Sequence, residues 1–287
     1  MAKVLVTGAT GLVGAALAQA LREAGHSVIA LSRRDGDVVD TATWGRLPAV
    51  EHVFHLAARS YVPDSWADPA GFIASNVAGS AQALEYCRAN GAHLVLASTA
   101  LFGTPKRLPV REDDATEPNN PYALSKFLAE RACAFYAAKF SVPVTVIRLV
   151  NIFGPGQRTE FLIPSVLDQV RRGERIRVKT LKPRRDFLFV DDAGAGLISA
   201  MVKAAGYRVV NVGSGASYSV AKVIDTIQAA AGTRLPVSSD EDPRANEIPE
   251  ARADITRARK LLGWAPRLTF AQGIARLVAA ELHASPK

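Results

Sequence analysis

The sequence predicts an α/β protein, a doubly wound parallel sheet followed by a smaller C-terminal α/β lobe that takes the substrate. Three observations carry this. The opening stretch KVLVTGATGLVGAALAQALREAGHSVIALSRR reads as strand, helix, strand. Short apolar runs recur at VEHVFHLAA, HLVLAST and VPVTVIRLV, separated by helical segments long enough for right-handed crossovers. After about Asn151 this alternation loosens.

In chain order, Lys3 to Thr7 is the first buried strand, Gly11 to Ala24 an amphipathic helix stopped by Gly25, and Ser27 to Leu31 the second strand. Pro69 to Asn90, stopped by Gly91, and Pro121 to Phe140 are alanine-rich helices whose prolines suit a first turn. Residues 1–150 thus form a dinucleotide-binding domain. Residues 151–287 form the second lobe, with the loop NIFGPGQ, a helix near 161–173 and the C-terminal ARKLLGWAPRLTFAQGIARLVAAEL. The segments RDFLFVDDAGAGLISAM and RVVNVGSG read as a return to the first domain around 186–213.

Composition sets outer bounds. A chain of 287 residues, 48% hydrophobic and 22% charged, can bury a large core. Its apolar runs fall far below the ~20 residues of a membrane span. MAKVLVTG enters a strand directly, without a secretory leader, so a cytoplasmic protein is expected. Cys87 and Cys133 lie far apart in helical patterns, which suggests neither a disulfide framework nor a metal site. The net charge of +8 raises nucleic acid as a partner. The basic clusters RRGERIRVK and KPRR lack interleaved aromatics, however, and a nucleotide or pyrophosphate accounts for the charge equally well. Neither nucleic acid nor membrane is an expected partner.

Four motifs carry chemistry. TGATGLVG places Gly8, Gly11 and Gly14 between a strand and a helix, where glycines allow backbone to approach a pyrophosphate at a helix N-terminus. The spacing is GxxGxxG rather than GxGxxG. In LSRRDGD, at the end of the second strand, Ser32 and Arg33 favour NADP over NAD, while Asp35 pulls the other way and a solvated arginine pair is an alternative. ASTALFG ends a strand with Ser98 and Thr99, whose hydroxyls would stand at the carboxyl edge of the sheet. PYALSK sets Tyr122 and Lys126 one helical turn apart. An ammonium beside a phenol favours the phenolate and so suits acid–base work. By itself, Tyr-x-x-x-Lys is also a chance feature of exposed helices.

TGxxGxxG, HLAA at 55–58, NVAGS at 76–80, ASTALFG and PYALSK occur in one order, followed by RLVNIFGPGQ, RRDFLFVDD, RANEIP and KLLGW. Over nearly its whole length the chain therefore resembles the extended short-chain dehydrogenase/reductases, the Rossmann-like nucleotide-sugar epimerases, dehydratases and reductases. The resemblance implies that Tyr122 is the acid/base, that Lys126 holds the nicotinamide ribose and lowers the tyrosine pKa, and that Ser98 orients the reacting sugar oxygen. It also implies a cofactor site of Gly8, Gly11, Leu12, Val13, Gly14, Ser32, Arg33, Asp37, Val38, Leu56, Ala57, Ala58, Asn76, Tyr122 and Lys126. Substrate contacts would come from Ser98, Thr99, Asn151, Arg185 and Arg244, with surface ion pairs the alternative for the two arginines.

Dehydratases and decarboxylases of this family carry acidic residues just after the Ser98 position, where this chain has Thr99 and Ala100. The expected activity is therefore 4-epimerisation or 4-keto-6-deoxysugar reduction of a nucleotide-diphosphate sugar, with NADP or NAD as cofactor. The alternative is a catalytically inactive, dinucleotide-sensing binding protein. The alanine-rich helices resemble the pair through which family members form homodimers.

Overall fold

A computed structural model of the chain describes residues 1–100, 102–202, 206–242 and 247–282. Its centre is a six-stranded sheet of β1 (Lys3–Thr7), β2 (Ser27–Leu31), β3 (His52–His55), β4 (His93–Thr99), β5 (Val144–Leu149) and a sixth strand, Tyr207–Val212. Every pairing is parallel. Across the sheet the order is sixth strand, β5, β4, β3, β1, β2. The chain leaves β1 on one side for β2 and then returns on the other side as β3. That reversal opens a crevice above the carboxyl ends of β1 and β3, the place where open α/β sheets bind ligands.

The strands are almost continuously apolar because helices cover both faces. On one face, α1 (Leu12–Glu23) and the helix Val190–Ser199 bury Leu17, Leu21, Ala193 and Leu197 against Val4, Val6 and Val95. On the other, the helices Gly79–Asn90 and Pro121–Phe140 bring Ala83, Leu84, Ala129 and Cys133 against Leu5, Val53 and Leu94. Asn120 caps the Pro121–Phe140 helix by accepting from the Ala123 N–H at 2.8 Å, and Pro121 occupies its first turn. Gly91, at φ +64°, ends the Gly79–Asn90 helix in the left-handed conformation.

One expected helix is interrupted. Residues 69–90 form a short helix, Pro69–Ile73, a wide π-type turn, Ala74–Ala78, and then the helix Gly79–Asn90. The wide turn places the buried Asn76 side chain inward, where it meets the Arg59 backbone and the Ser125 hydroxyl. Local propensity carries no sign of this, because the partners are distant in sequence.

The smaller lobe has its own aromatic core. Phe153, Phe187, Phe189 and Phe270 cluster with Val166, Ile224 and Ile274 from the helices Leu162–Arg171, Val220–Ala231 and Phe270–Leu282. Short strand pairs complete it: Asn151–Phe153 with Phe187–Phe189, Arg184–Arg185 with Tyr218–Ser219, and Ile176–Val178 with Val237–Ser239. Between them the chain re-enters the main sheet as Tyr207–Val212, paired with β5.

A buried carboxylate ties these segments together. Asp186 is 1% exposed and accepts from the Ser214 N–H at 2.9 Å, the Ser214 hydroxyl at 2.6 Å, the Gly215 N–H at 3.1 Å and the Ala253 N–H at 3.2 Å. Its carbonyl accepts from the Asn151 backbone and side chain. Burial raises the carboxyl pKa, and these hydrogen bonds oppose the rise. Asp186→Ala strands donors on two segments, Ser214–Gly215 and Ala253, and is expected to destabilise the protein by about 3 kcal/mol. Urea unfolding of the two proteins checks this.

Candidate active site

The carboxyl ends of β1, β3 and β4 meet at one edge of the sheet. After β1, Gly8 turns at φ +69°, and a Cβ there would lie 2.7 Å from the Ala57 nitrogen. A Cβ on Gly14 would lie 2.1 Å from the Gly8 carbonyl oxygen. Both glycines are therefore required by backbone-to-backbone contact, and their loop forms a side-chain-free cradle at the start of α1. Gly11 donates to the Gly8 carbonyl at 3.0 Å, and half-buried Leu12 and Val13 open the helix.

Thr7 organises the facing wall. Its hydroxyl is hydrogen-bonded to His55 Nδ1 at 2.9 Å and accepts from the Ala57 N–H at 3.2 Å, while its carbonyl accepts from the Leu56 N–H. Leu56, Ala57 and Ala58 are thereby held along the crevice. His55 is 2% exposed, and burial, reinforced by the charge of Lys126, brings its imidazole down to about 3. It is a neutral group at working pH.

At the end of β2, Asp35 accepts from both the Ser32 N–H, at 2.8 Å, and the Ser32 hydroxyl, at 2.7 Å. These bonds lower the Asp35 pKa. Arg33 is exposed beside them. Asp37 accepts from the Val39 N–H at 3.1 Å, and the Val38 carbonyl accepts from Trp44 Nε1 at 2.8 Å.

The four residues Ser98, Thr99, Tyr122 and Lys126 gather where β4 ends against the start of the Pro121–Phe140 helix. Ser98 is 5% exposed, and its hydroxyl has no protein partner. Thr99 is hydrogen-bonded to the Tyr122 phenol, and the Phe72 ring meets Tyr122 edge-on at 6.5 Å. Burial raises the phenol to about 12, with the Thr99 bond as the opposing cause. In the cofactor-free chain, burial thus outweighs the lowering expected from Lys126, and the phenol is protonated at neutral pH. Lys126 is 4% exposed, and burial depresses its ammonium to about 8 against the pull of Glu130.

Asn76 acts on this group from behind. Its amide donates to Ser125 Oγ at 2.8 Å and to the Arg59 carbonyl at 2.9 Å, and its oxygen accepts from the Arg59 N–H at 2.8 Å. Ser125 in turn donates to the Tyr122 carbonyl at 2.7 Å. The side chain expected at the cofactor is therefore committed to holding the β3 loop against the tyrosine's helix.

Two expected substrate residues are also engaged within the protein. Asn151 Nδ2 donates to the Asp186 carbonyl at 3.0 Å. Arg185 is ion-paired with Glu247 and donates to the Ile248 carbonyl at 2.6 Å. Arg244 lies outside the described residues. Among those residues no group of three or more metal-ligating side chains occurs. Cys87 and Cys133 are free and buried, and burial pushes both thiols up.

Sequence reading passed over Thr7, His55, Ser125 and Asp186. All four lie inside the quoted motifs, Thr7 in TGATGLVG, His55 in HLAA, Ser125 in PYALSK and Asp186 in RRDFLFVDD, but residue type alone assigns none of them its partner.

The residues present fit a dinucleotide: a cradle that any Cβ would fill, a buried hydroxyl without a partner, and a buried ammonium. The last is a stability cost. Because the folded pKa of Lys126 is depressed from 10.5 to about 8, folding loses about 3 kcal/mol below pH 8, and this loss is relieved as pH rises towards 10.5. Cofactor-free Lys126→Met is therefore expected to melt above the unsubstituted protein at pH 7, with the difference shrinking between pH 8 and 10. Thermal melts across that range check this.

The comparisons with known proteins agree with this fold. The model of the NAD dependent epimerase/dehydratase family matches residues 4–213. A UDP-glucose 4-epimerase of Mycolicibacterium smegmatis is 30% identical, over 96% of this chain and 97% of its own. A GDP-6-deoxy-D-mannose reductase of Pseudomonas aeruginosa is 30% identical, over 96% of each chain. MoeE5, solved with UDP-glucuronic acid and NAD, superposes with a TM-score of 0.92 at 29% identity, over 99% of this chain and 100% of its own. RMD from Pseudomonas aeruginosa, solved with NADPH, superposes with a TM-score of 0.89 at 28% identity, over 98% of each chain. With the glycine cradle, the Ser98–Tyr122–Lys126 group and a match spanning the sheet from β1 to its sixth strand, the chain belongs to the NAD dependent epimerase/dehydratase family.

Proposed function

We propose that this chain is an NAD(P)-dependent enzyme acting on C4 of a nucleotide-diphosphate sugar, as a 4-epimerase or a 4-keto-6-deoxysugar reductase. The observation that carries the reading is the convergence of the unpartnered Ser98 hydroxyl, the Tyr122 phenol and the buried Lys126 ammonium at the carboxyl edge of β4. A buried polar atom without a partner is costly unless a ligand satisfies it.

The glycine cradle of Gly8, Gly11 and Gly14, with Leu12 and Val13, would hold the pyrophosphate. Asp37 and Val38 would flank the adenine, and Leu56 to Ala58 would line the crevice. When bound, the nicotinamide supplies hydride exchange with C4. Ser98 donates to the C4 oxygen and orients it. Tyr122 takes the C4 hydroxyl proton during oxidation and returns it during reduction. Lys126 bonds the ribose, and its charge, added to that of an oxidised nicotinamide, counters the burial that holds the phenol near 12.

Residues 1–150, with the return around 186–213, serve the dinucleotide, and residues 151–287 the sugar nucleotide, with Arg185, Arg244 and Asn151 towards its diphosphate or sugar. Arg33 beside Ser32 supports NADP over NAD, against the carboxylate of Asp35. Thr99 and Ala100, in place of acidic residues, disfavour dehydration and decarboxylation. Exposed Phe135 and Phe140 on the Pro121–Phe140 helix support a homodimer formed through that helix. The buried free thiols suit a reducing, cytoplasmic setting. No described helix is long and apolar enough to cross a membrane.

Tyr122→Phe keeps the ring and removes the transferable proton. It is expected to lower kcat by 100-fold or more, within the range general acid–base groups supply, while binding NADH and NADPH as before. Undiminished turnover of UDP-hexoses or GDP-4-keto-6-deoxymannose by the variant would favour a different proton carrier. Dinucleotide binding without turnover of either by the unsubstituted protein would favour the sensing alternative.

A further inference from the structure

The helix that carries Tyr122 and Lys126 has an unusual buried face. Its buried residues are Ala123, Ser125, Lys126, Ala129, Glu130, Cys133 and Ala137, with no leucine, isoleucine, valine or aromatic among them. Large side chains interlocking with a neighbour define how far along and how rotated a helix sits. The fully buried centre of this face is built of small and polar side chains, and its large side chains, Phe127 against Phe102 and Tyr136 against the core, lie only at its half-buried margins. Few interlocking contacts at the centre therefore define the helix's register.

At that centre stands one buried ion pair. Arg148, on β5, forks onto Glu130, with Nε at 3.0 and 3.3 Å from the two carboxylate oxygens and its terminal nitrogen at 2.7 Å. The side chains are 8% and 4% exposed. The guanidinium is held on its other sides as well. It donates to the Glu112 carbonyl at 3.1 Å and lies 4.9 Å over the Phe102 ring. Glu112 in turn accepts from the Asn211 N–H of the sixth strand at 2.8 Å.

The two ends of the pair sit in informative places. Glu130 is one turn beyond Lys126 on the same buried face. Arg148 is the parallel register partner of Ser98, so both side chains leave the sheet on the same face. A single fork thus joins the helix of Tyr122 and Lys126 to the strand beside Ser98. Burying two charges brings little or no net stability relative to an apolar pair of similar volume, and the best-attested use of such pairs is to specify register.

We propose that Glu130 and Arg148 are positioning residues that set the register of the Pro121–Phe140 helix on β5, and through it the place of Tyr122 and Lys126 relative to Ser98 and Thr99. Asn76, bonded to Ser125, anchors the helix start, and the ion pair anchors it beyond Lys126. The fork-shaped contact restricts both translation and rotation, which a point charge would not. This proposal rests on the functional reading above only in taking Lys126 as a cofactor residue.

The test replaces the pair by apolar residues of similar size, Glu130→Leu with Arg148→Met, and follows melting temperature together with NADH and NADPH affinity by fluorescence titration. The expected result is a melting temperature at or above that of the unsubstituted protein, with Kd weakened about tenfold or more. Arg148→Lys keeps the charge but loses the fork, and its Kd is expected to fall between the two. A folded double variant that binds both dinucleotides as the unsubstituted protein does would overturn the proposal. So would one whose melting temperature falls sharply, since that assigns the pair to stability. Should the double variant fail to fold, an unchanged Kd in Arg148→Lys overturns it. An unsubstituted protein that binds neither NADH nor NADPH overturns the functional reading and this proposal with it, a result distinct from all of these.

Discussion

Covering both faces of a parallel sheet leaves a polar side chain inside it two options: a partner, or the open carboxyl edge. Much of the polar chemistry of this chain follows from that constraint. In the body of the sheet polar groups are paired, as His93 with His52 and Thr145, and towards the carboxyl ends Arg148 is paired with Glu130. At the edge the pairing is incomplete. The Ser98 hydroxyl and His55 Nε2 have no partner there, and the charge of Lys126 is offset only through space by Glu130, one helical turn on. Incomplete satisfaction at the carboxyl edge, beside the glycine cradle, is what a ligand site requires.

The same edge concentrates electrostatic cost. Burial depresses Lys126 and His55 and raises Tyr122. Each shift disfavours a charged form, so the cofactor-free protein holds its proton-handling group neutral. Charge brought by a bound cationic ring would act on the phenol in a medium of low polarity, where it counts for more than in water. The site is thus poorly suited to stability and well suited to responding to what binds it.

Legibility in the sequence followed how local each signal was. The strands β1, β2 and β4 and the helix Pro121–Phe140 were readable to the residue, because apolar runs, Pro121 and Gly91 are local signals. The gathering of Ser98, Tyr122 and Lys126 was readable as motifs in order. The π-type turn at Ala74–Ala78 was not, since it exists to bring Asn76 to Arg59 and Ser125. Nor was the commitment of Ser32 to Asp35, which depends on how the turn after β2 closes. Arg185 showed the opposite limit: a basic residue in a familiar motif carries no sign of its carboxylate partner, Glu247, 62 residues away.

Residue order was enough for the doubly wound sheet, the glycine cradle and the four-residue spacing of tyrosine and lysine, because backbone periodicity and turn chemistry act over a few residues. Folding in three dimensions decided how those parts are held. The Asp186 junction joins residues 151, 214, 215 and 253, and the Glu130–Arg148 fork joins a helix to a strand that follows it. Each is a buried polar contact centred on one or two side chains that joins segments distant in the chain, and burial withholds water as the competing partner. Burial is a property of the packed chain, so their roles became visible only once the sheet had closed around them.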